Sequence, residues 1–384
     1  MKWYKIMTAA GMAAVMGLAG PAAVMAASPE FSKTEEEWAK LRDDIIEYDE
    51  LADLIHEYNA TVQNNQYDYR KFREDYGDTN SKVANAYYDL AQDYYNDMSG
   101  EDDANSRMSD LNLRIQADNL MEQADESLED SRIYLLTYEQ AEKNLVVTAQ
   151  SQMISYYEKT LQRQQKQAAL EEANQDYSLV QVKYAAGTVT QLEVLSARES
   201  VQSAEDELEQ LDSDIQSIKE KLNVLLGWNY NDSPEIGELP EPDESRIDGM
   251  NPDEDLAQAL ENNYTLRINR RKLENARSET TAENLRTTIS NNEKQIGASL
   301  SGAYKSVLSA KASYEQALTQ KQLEEANTQI AAGKLQAGMI TRQDYEKQVR
   351  SRDNSQITAK TAELGLLSAM ENYEWAVKGL ASAE

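Results

Sequence analysis

Residues 184–195 read YAAGTVTQLEVL and residues 335–346 read LQAGMITRQDYE. In both stretches a glycine, Gly187 or Gly338, is followed at +2 by a β-branched residue (Val189, Ile340). Threonine follows at +3 (Thr190, Thr341) and a carboxylate at +6 (Glu193, Asp344). Long helix-forming sequence lies on either side of each. A helix-to-helix turn needs one residue at positive φ, which glycine adopts without steric cost. The threonine three residues later can cap the outgoing helix, and the acid three beyond it stands at the capping-box position, at the positive end of the helix dipole. Glu193 and Asp344 therefore read first as caps. The same unit occurring twice marks an internal structural repeat.

The helix after Gly187 carries the sharpest periodicity. Val194, Ala197, Val201, Ala204, Leu208, Leu211, Ile215, Ile218, Leu222 and Leu225 are spaced three and four residues apart without interruption. That is a heptad seam, whose 3.5-residue period predicts left-handed supercoiling. From Gln191 to Leu226 a helix would span about 54 Å. The preceding segment places Ile154, Tyr157, Leu161, Ala173, Tyr177, Val180 and Tyr184 in helical register, and the tyrosines read as seam or rim residues.

Prolines divide the chain. Pro21 and Pro29 lie near the N-terminus, and the other four are Pro234, Pro240, Pro242 and Pro252. Residues 227–253 therefore read as a Pro/Gly-rich linker between a first helical hairpin repeat (27–226) and a second (254–384). The halves also open alike, with ELADLIHEYNATV at 50–62 and DLAQALENNYTL at 255–266. Residues 1–26 read as a signal peptide. Lys2 and Lys5 precede a short apolar run from Ile6 to Gly20, and Val24-Met25-Ala26 supplies the small residues before a cleavage point.

Composition limits the chemistry. Across 384 residues there are 68 Asp and Glu against 38 Lys and Arg, a formal charge of −30, which opposes a nucleic-acid partner. With no cysteine and a single histidine, metal and nucleophile constellations lack their usual parts. His56, in an acidic helical context, reads as an ordinary exposed residue. No catalytic, metal or cofactor-binding residues are assigned, and the chain is not read as an enzyme. The expected fold is all-α: long antiparallel hairpins in two tandem repeats, with Ala-rich stripes that call for association of copies.

On these residues the chain resembles the TolC-like outer-membrane efflux protein family. The carriers are AAGTVTQLEVLSAR with its heptad helix to LNVLLGW, the second copy QAGMITRQDYEKQV ending at VKGL, and the paired openings. The resemblance implies a homotrimer forming a hollow helical tube, which works with an adaptor protein and an inner-membrane transporter. It implies that Gly187, Val189, Thr190, Gly338, Ile340 and Thr341 form adaptor-docking tips at the tube entrance, with Glu193 and Asp344 lining the aperture. It places the protein in the cell envelope, as a conduit in efflux or secretion. The rival reading is an acidic coiled-coil spacer of the envelope without a transport role. The family also has two membrane β-hairpins per subunit, which need segments of roughly 9–11 alternating residues. SGEDDANSRMSD (99–110) and TTISNNEKQIG (287–297), the places for them, lack that alternation. These two segments are expected to be polar breaks at the end of the subunit opposite the glycine turns.

Overall fold

The computed structural model describes residues 34–41 and 43–383, and the signal peptide expected at 1–26 lies outside the described residues. The first half contains α1 (Glu35–Lys40), β1 (Ile45–Ile46), α2 (Leu51–Tyr58), α3 (Ala60–Tyr76), α4 (Asn80–Asn96), α5 (Ala104–Glu126), α6 (Ser131–Ala185) and α7 (Gln191–Leu225). The second contains β2 (Glu235–Ile236), α8 (Ser245–Asp248), α9 (Pro252–Asn262), α10 (Tyr264–Asn275), α11 (Glu279–Gln336) and α12 (Arg342–Trp375), closed by a π-turn over Ala376–Leu380. The fold is all-α. Among the described residues the only strands are β1 and β2, two residues each, paired in parallel.

The 55 residues of α6 hold neither proline nor glycine, and the helix runs for about 82 Å. Its partner α7 packs along it through the heptad seam: all ten seam residues are buried or half-buried, while most of the helix between them is exposed. α11 and α12 form the matching hairpin. The two hairpins lie side by side. Glu172 on α6 pairs with Arg350 on α12 at 3.1 Å, and farther from the turns Ile154 packs against Leu364 and Leu367. Position thus rises along one helix as it falls along the other. Both glycine turns stand at the same end.

Each repeat is locked at mid-height by an asparagine. Asn59 lies buried between α2 and α3; its Oδ1 accepts from Thr61 N and Val62 N, and its Nδ2 donates to Leu225 O at the end of α7. Asn263 does the same between α9 and α10, accepting from Leu266 N and donating to Gly379 O and Ala381 O. One side chain starts one helix and satisfies the terminal carbonyls of another, groups that would otherwise be orphaned. Around these locks sit the two main cores. Leu51, Leu54, Ile55, Met153 and Leu222 belong to the first, and Leu266, Ile296, Leu300, Leu366 and Met370 to the second.

Two sequence expectations need correction. Residues 287–297 are not a break; they lie within the uninterrupted α11. Their polarity has helical and tertiary uses. Thr287 and Thr288 bond back to Glu283 O and Asn284 O, and buried Asn292 accepts from Asn269 Nδ2 and donates to Ala383 O. The break lies at residues 276–278. In the other segment, 99–110, only residues 99–103 are non-helical, the end of a turn that begins at 97; from Ala104 the chain is helical, capped by the Asp103 carboxylate at Asn105 N and Ser106 N. The repeats therefore differ. Three residues join α10 to α11, whereas the helical hairpin α4–α5 is inserted between α3 and α6.

Residues 227–253, expected as a linker, form an ordered strap. β2 pairs with β1, and the Tyr157 hydroxyl sits 3.0 Å from Ile236 O and 2.9 Å from Gly237 O. Ile247 and Met250 enter the second core, and Arg246 pairs with Glu374. The strap ends at Pro252, the first residue of α9, beside its Asn251 cap.

Candidate functional site

The two turns share their backbone closure and their capping box, and the first adds a bond from the Thr188 hydroxyl to Lys183 O, where the second has Met339. Gly187 N donates to Tyr184 O and Thr188 N to Lys183 O; Gly338 N donates to Leu335 O and Met339 N to Lys334 O. Both are Schellman closures, with glycine at φ +73° and +68°. The next helix starts at once. Thr190 Oγ1 accepts from Glu193 N, and Glu193 Oε2 accepts from Thr190 N at 2.7 Å and Thr190 Oγ1 at 2.9 Å. Thr341 and Asp344 repeat the box, with Asp344 Oδ2 3.1 Å from Thr341 N and 2.7 Å from its hydroxyl.

These bonds stabilise the ionised acids. Backbone and hydroxyl donation from Thr190 holds the Glu193 carboxyl below its ordinary pKa, and the Thr341 hydroxyl, then its backbone N–H, does so for Asp344. Both acids are solvent-exposed and carry charge at neutral pH.

Val189 and Ile340 are half-buried at their turns, whereas Gly187, Thr190, Gly338 and Thr341 are exposed. Sequence reading missed the apolar residues around the turns. Leu192 is 72% and Met339 74% exposed, and Val182, Tyr184, Leu195 and Ile330 are exposed as well. They escaped notice because they lie off the heptad seam, where an apolar residue buries nothing within its own hairpin. Tyr184, read as seam or rim, belongs to this outward set. A second missed signal was present in the sequence: both turns read Lys-x-x-Ala-Gly, placing Lys183 and Lys334 at the carbonyls that close the Schellman bonds. The site is thus a pair of matched tips combining exposed apolar side chains, fixed carboxylates and lysines.

No family model and no curated protein matches the chain. Solved structures do. A membrane protein from Pseudomonas aeruginosa aligns at a TM-score of 0.56 and 12% identity, over 86% of this chain and 90% of its own. The outer membrane protein VceC of Vibrio cholerae aligns at 0.52 and 12%, over 86% and 96%. The open state of the Neisseria gonorrhoeae MtrE outer membrane channel aligns at 0.51 and 10%, over 88% and 90%. The fold is the TolC-like fold.

Within the TolC-like fold, His56 is not the exposed residue expected. It is half-buried on α2, with Nδ1 3.2 Å and 3.3 Å from the two oxygens of Glu142 on α6. The hydrogen bond to Glu142 raises the His56 pKa against the opposing effect of burial. Burial pushes the Glu142 carboxyl up, but the His56 bond and Lys143 outweigh it and leave the net shift downward. The sign follows for His56. Its contribution to stability is complete below the unfolded histidine pKa of about 6.5 and is lost as pH rises through the higher folded value. The melting temperature should therefore fall between pH 6 and pH 9 by more in the wild type than in His56→Gln. Equal falls in the two proteins would show that the pair contributes nothing.

Proposed function

We propose that the chain is an exported component of a multi-protein efflux or secretion system. Three copies close a helical tube, and its turn-bearing end docks an elongated adaptor protein that couples it to an inner-membrane transporter. Gly187, Val189, Thr190, Gly338, Ile340 and Thr341 shape the docking tips. Leu192 and Met339 supply apolar contact, and Glu193 and Asp344 add a ring of six carboxylates at the aperture. One observation carries the reading: two tips with matching backbone closures and capping boxes stand at the same end, each ringed by exposed apolar side chains. A spacer needs neither the duplication nor the common orientation. An apolar patch kept in water marks an interaction surface. Likeness of fold alone does not assign function, so the case rests on the tips.

Two sets of variants separate docking from aperture chemistry. Leu192→Asp with Met339→Asp should leave helicity unchanged and reduce association with a helical-hairpin adaptor by tenfold or more, on the order of 1.4 kcal/mol. Glu193→Gln with Asp344→Asn keeps side-chain acceptors for capping and removes the charge. It should leave adaptor binding near wild type and reduce export of cationic substrates several-fold. Binding unchanged in the first pair would remove the tips as a docking surface. Transport unchanged in the second would leave the acids as caps only.

A further inference from the structure

The α4–α5 hairpin stands off the end of the body opposite the turns and carries an apolar stripe that its own fold leaves uncovered. Its internal seam lies on one side of α5, where Leu113, Ala117, Leu120 and Ala124 are buried or half-buried. Ala91 and Tyr87 of α4 belong to the same small core as Ala117 and Leu120. Two cross-hairpin bonds of 2.5 Å, Tyr88 to Asp125 and Tyr95 to Asp118, hold the pair together. The opposite side of α5 presents Ala104, Met108, Leu111 and Ile115, spaced four, three and four residues apart. Met108 is 69%, Leu111 57% and Ile115 49% exposed. That spacing is a second heptad seam, facing away from α4.

We propose that this seam is covered by a second and a third copy of the same helix. Three α5 helices meet at the axis as a short parallel coiled coil and crown the end of the tube. The proposal rests on the trimeric reading given above. A heptad stripe is matched at equal height by an identical helix related by rotation, which is what a closed ring of subunits supplies. The charges allow it despite the −30 carried by each chain. Arg107 and Arg114 flank the stripe on one side and Asn105, Asn112 and Asn119 on the other. Beside the stripe, Asp102 pairs with Arg107 and Asp110 accepts from Ser99 N and Gly100 N within the hairpin. Between Ala104 and Ile115 the stripe itself therefore brings no carboxylates together.

The same helix also says where the contact ends. Continuing the stripe from Ile115 in the same rhythm reaches Asp118 and then Glu122. Three copies of each would repel, so the helices converge at the tip and splay toward the body. The hairpin's fully buried core is small, with Ala91, Ala117 and Leu120 its main members. An isolated hairpin of this size is marginal, and further burial stabilises it.

The chain has no cysteine, so single cysteines report contacts cleanly. Met108→Cys on the full chain, oxidised under mild conditions, should yield disulfide-linked dimers at least tenfold above Asp93→Cys, which lies on the outer face of α4. Adding Leu111→Asp should abolish the Met108→Cys product while sedimentation still reports three chains. A trimer without that product, or with equal product at both positions, overturns the crown and leaves the tube reading standing. A monomer by sedimentation overturns both. Flotation with phosphatidylglycerol vesicles that is lost in Leu111→Asp would make a lipid surface the occupant, and would overturn self-association.

Discussion

Gly379→Ala is expected to be among the most destabilising single substitutions in the chain, while Gly187→Ala, at a glycine of the same backbone class, stays mild. Both residues have positive φ, +115° and +73°, which costs a side-chain-bearing residue about 1–3 kcal/mol. Space separates them. A Cβ on Gly379 would stand 2.5 Å from Asn262 O and 2.9 Å from its carbonyl carbon, whereas one on Gly187 meets nothing within 4 Å. The obstacle is backbone beside the Asn263 lock, so relief requires α9 to shift from the end of α12. Overpacking of this kind adds ~1–3 kcal/mol. Gly227→Ala, whose Cβ would lie 2.8 Å from Tyr58 O at the equivalent lock, should behave like Gly379→Ala. Urea unfolding of the three variants decides the matter. Equal losses at residues 187 and 379 would refute the close-approach argument.

Asp130→Ala is the second large effect. Asp130 is fully buried where α5 gives way to α6. One oxygen caps Ile133 N at 3.0 Å; the other accepts from Arg271 Nε at 2.6 Å and Asn275 Nδ2 at 3.0 Å. Around it the ends of several helices are satisfied together. Asn275 also reaches Leu128 O, Arg277 reaches Ala124 O and Asn80 Oδ1, and Asn80 reaches Ser127 O. Removing one partner of a buried ion pair costs about 3–5 kcal/mol. Asp130→Asn keeps an acceptor for the cap and should lose less. Because the node roots the α4–α5 hairpin, limited proteolysis of Asp130→Ala should cut first between residues 77 and 130. A loss below about 1 kcal/mol, with unchanged proteolysis, would show that the node is dispensable.

What the sequence made legible was local. The Gly–Thr–acid turns, both capping boxes and the α7 seam depend on residues within a few positions of one another, so composition and spacing suffice to place them. Asn59 and Asn263 lie in the two openings whose likeness the sequence shows. Their reach to the ends of α7 and α12 was not visible there, because those partners lie more than a hundred residues away. The same reason hid the strap, held by Tyr157 from α6, and the Asp130 node, assembled from separate stretches of chain. Residues 287–297 were misread because polar content resembles a break until Asn269 and Ala383 are seen to engage Asn292. His56 appeared exposed because Glu142 is distant in sequence. At the tips the bonding was predictable, but the outward apolar residues were not, since periodicity detects what a helix buries against its own partner.

The central claim is that copies of this chain form a three-fold tube with all their glycine turns at one end. Single-particle electron microscopy of the assembled protein at physiological salt tests it most directly. The account predicts end-on views with three-fold symmetry around a helical wall, and side views with six turns gathered at one rim and three α4–α5 hairpins at the other. Isolated rods containing a single pair of hairpins, or rings in which the turns alternate between the two rims, would contradict it.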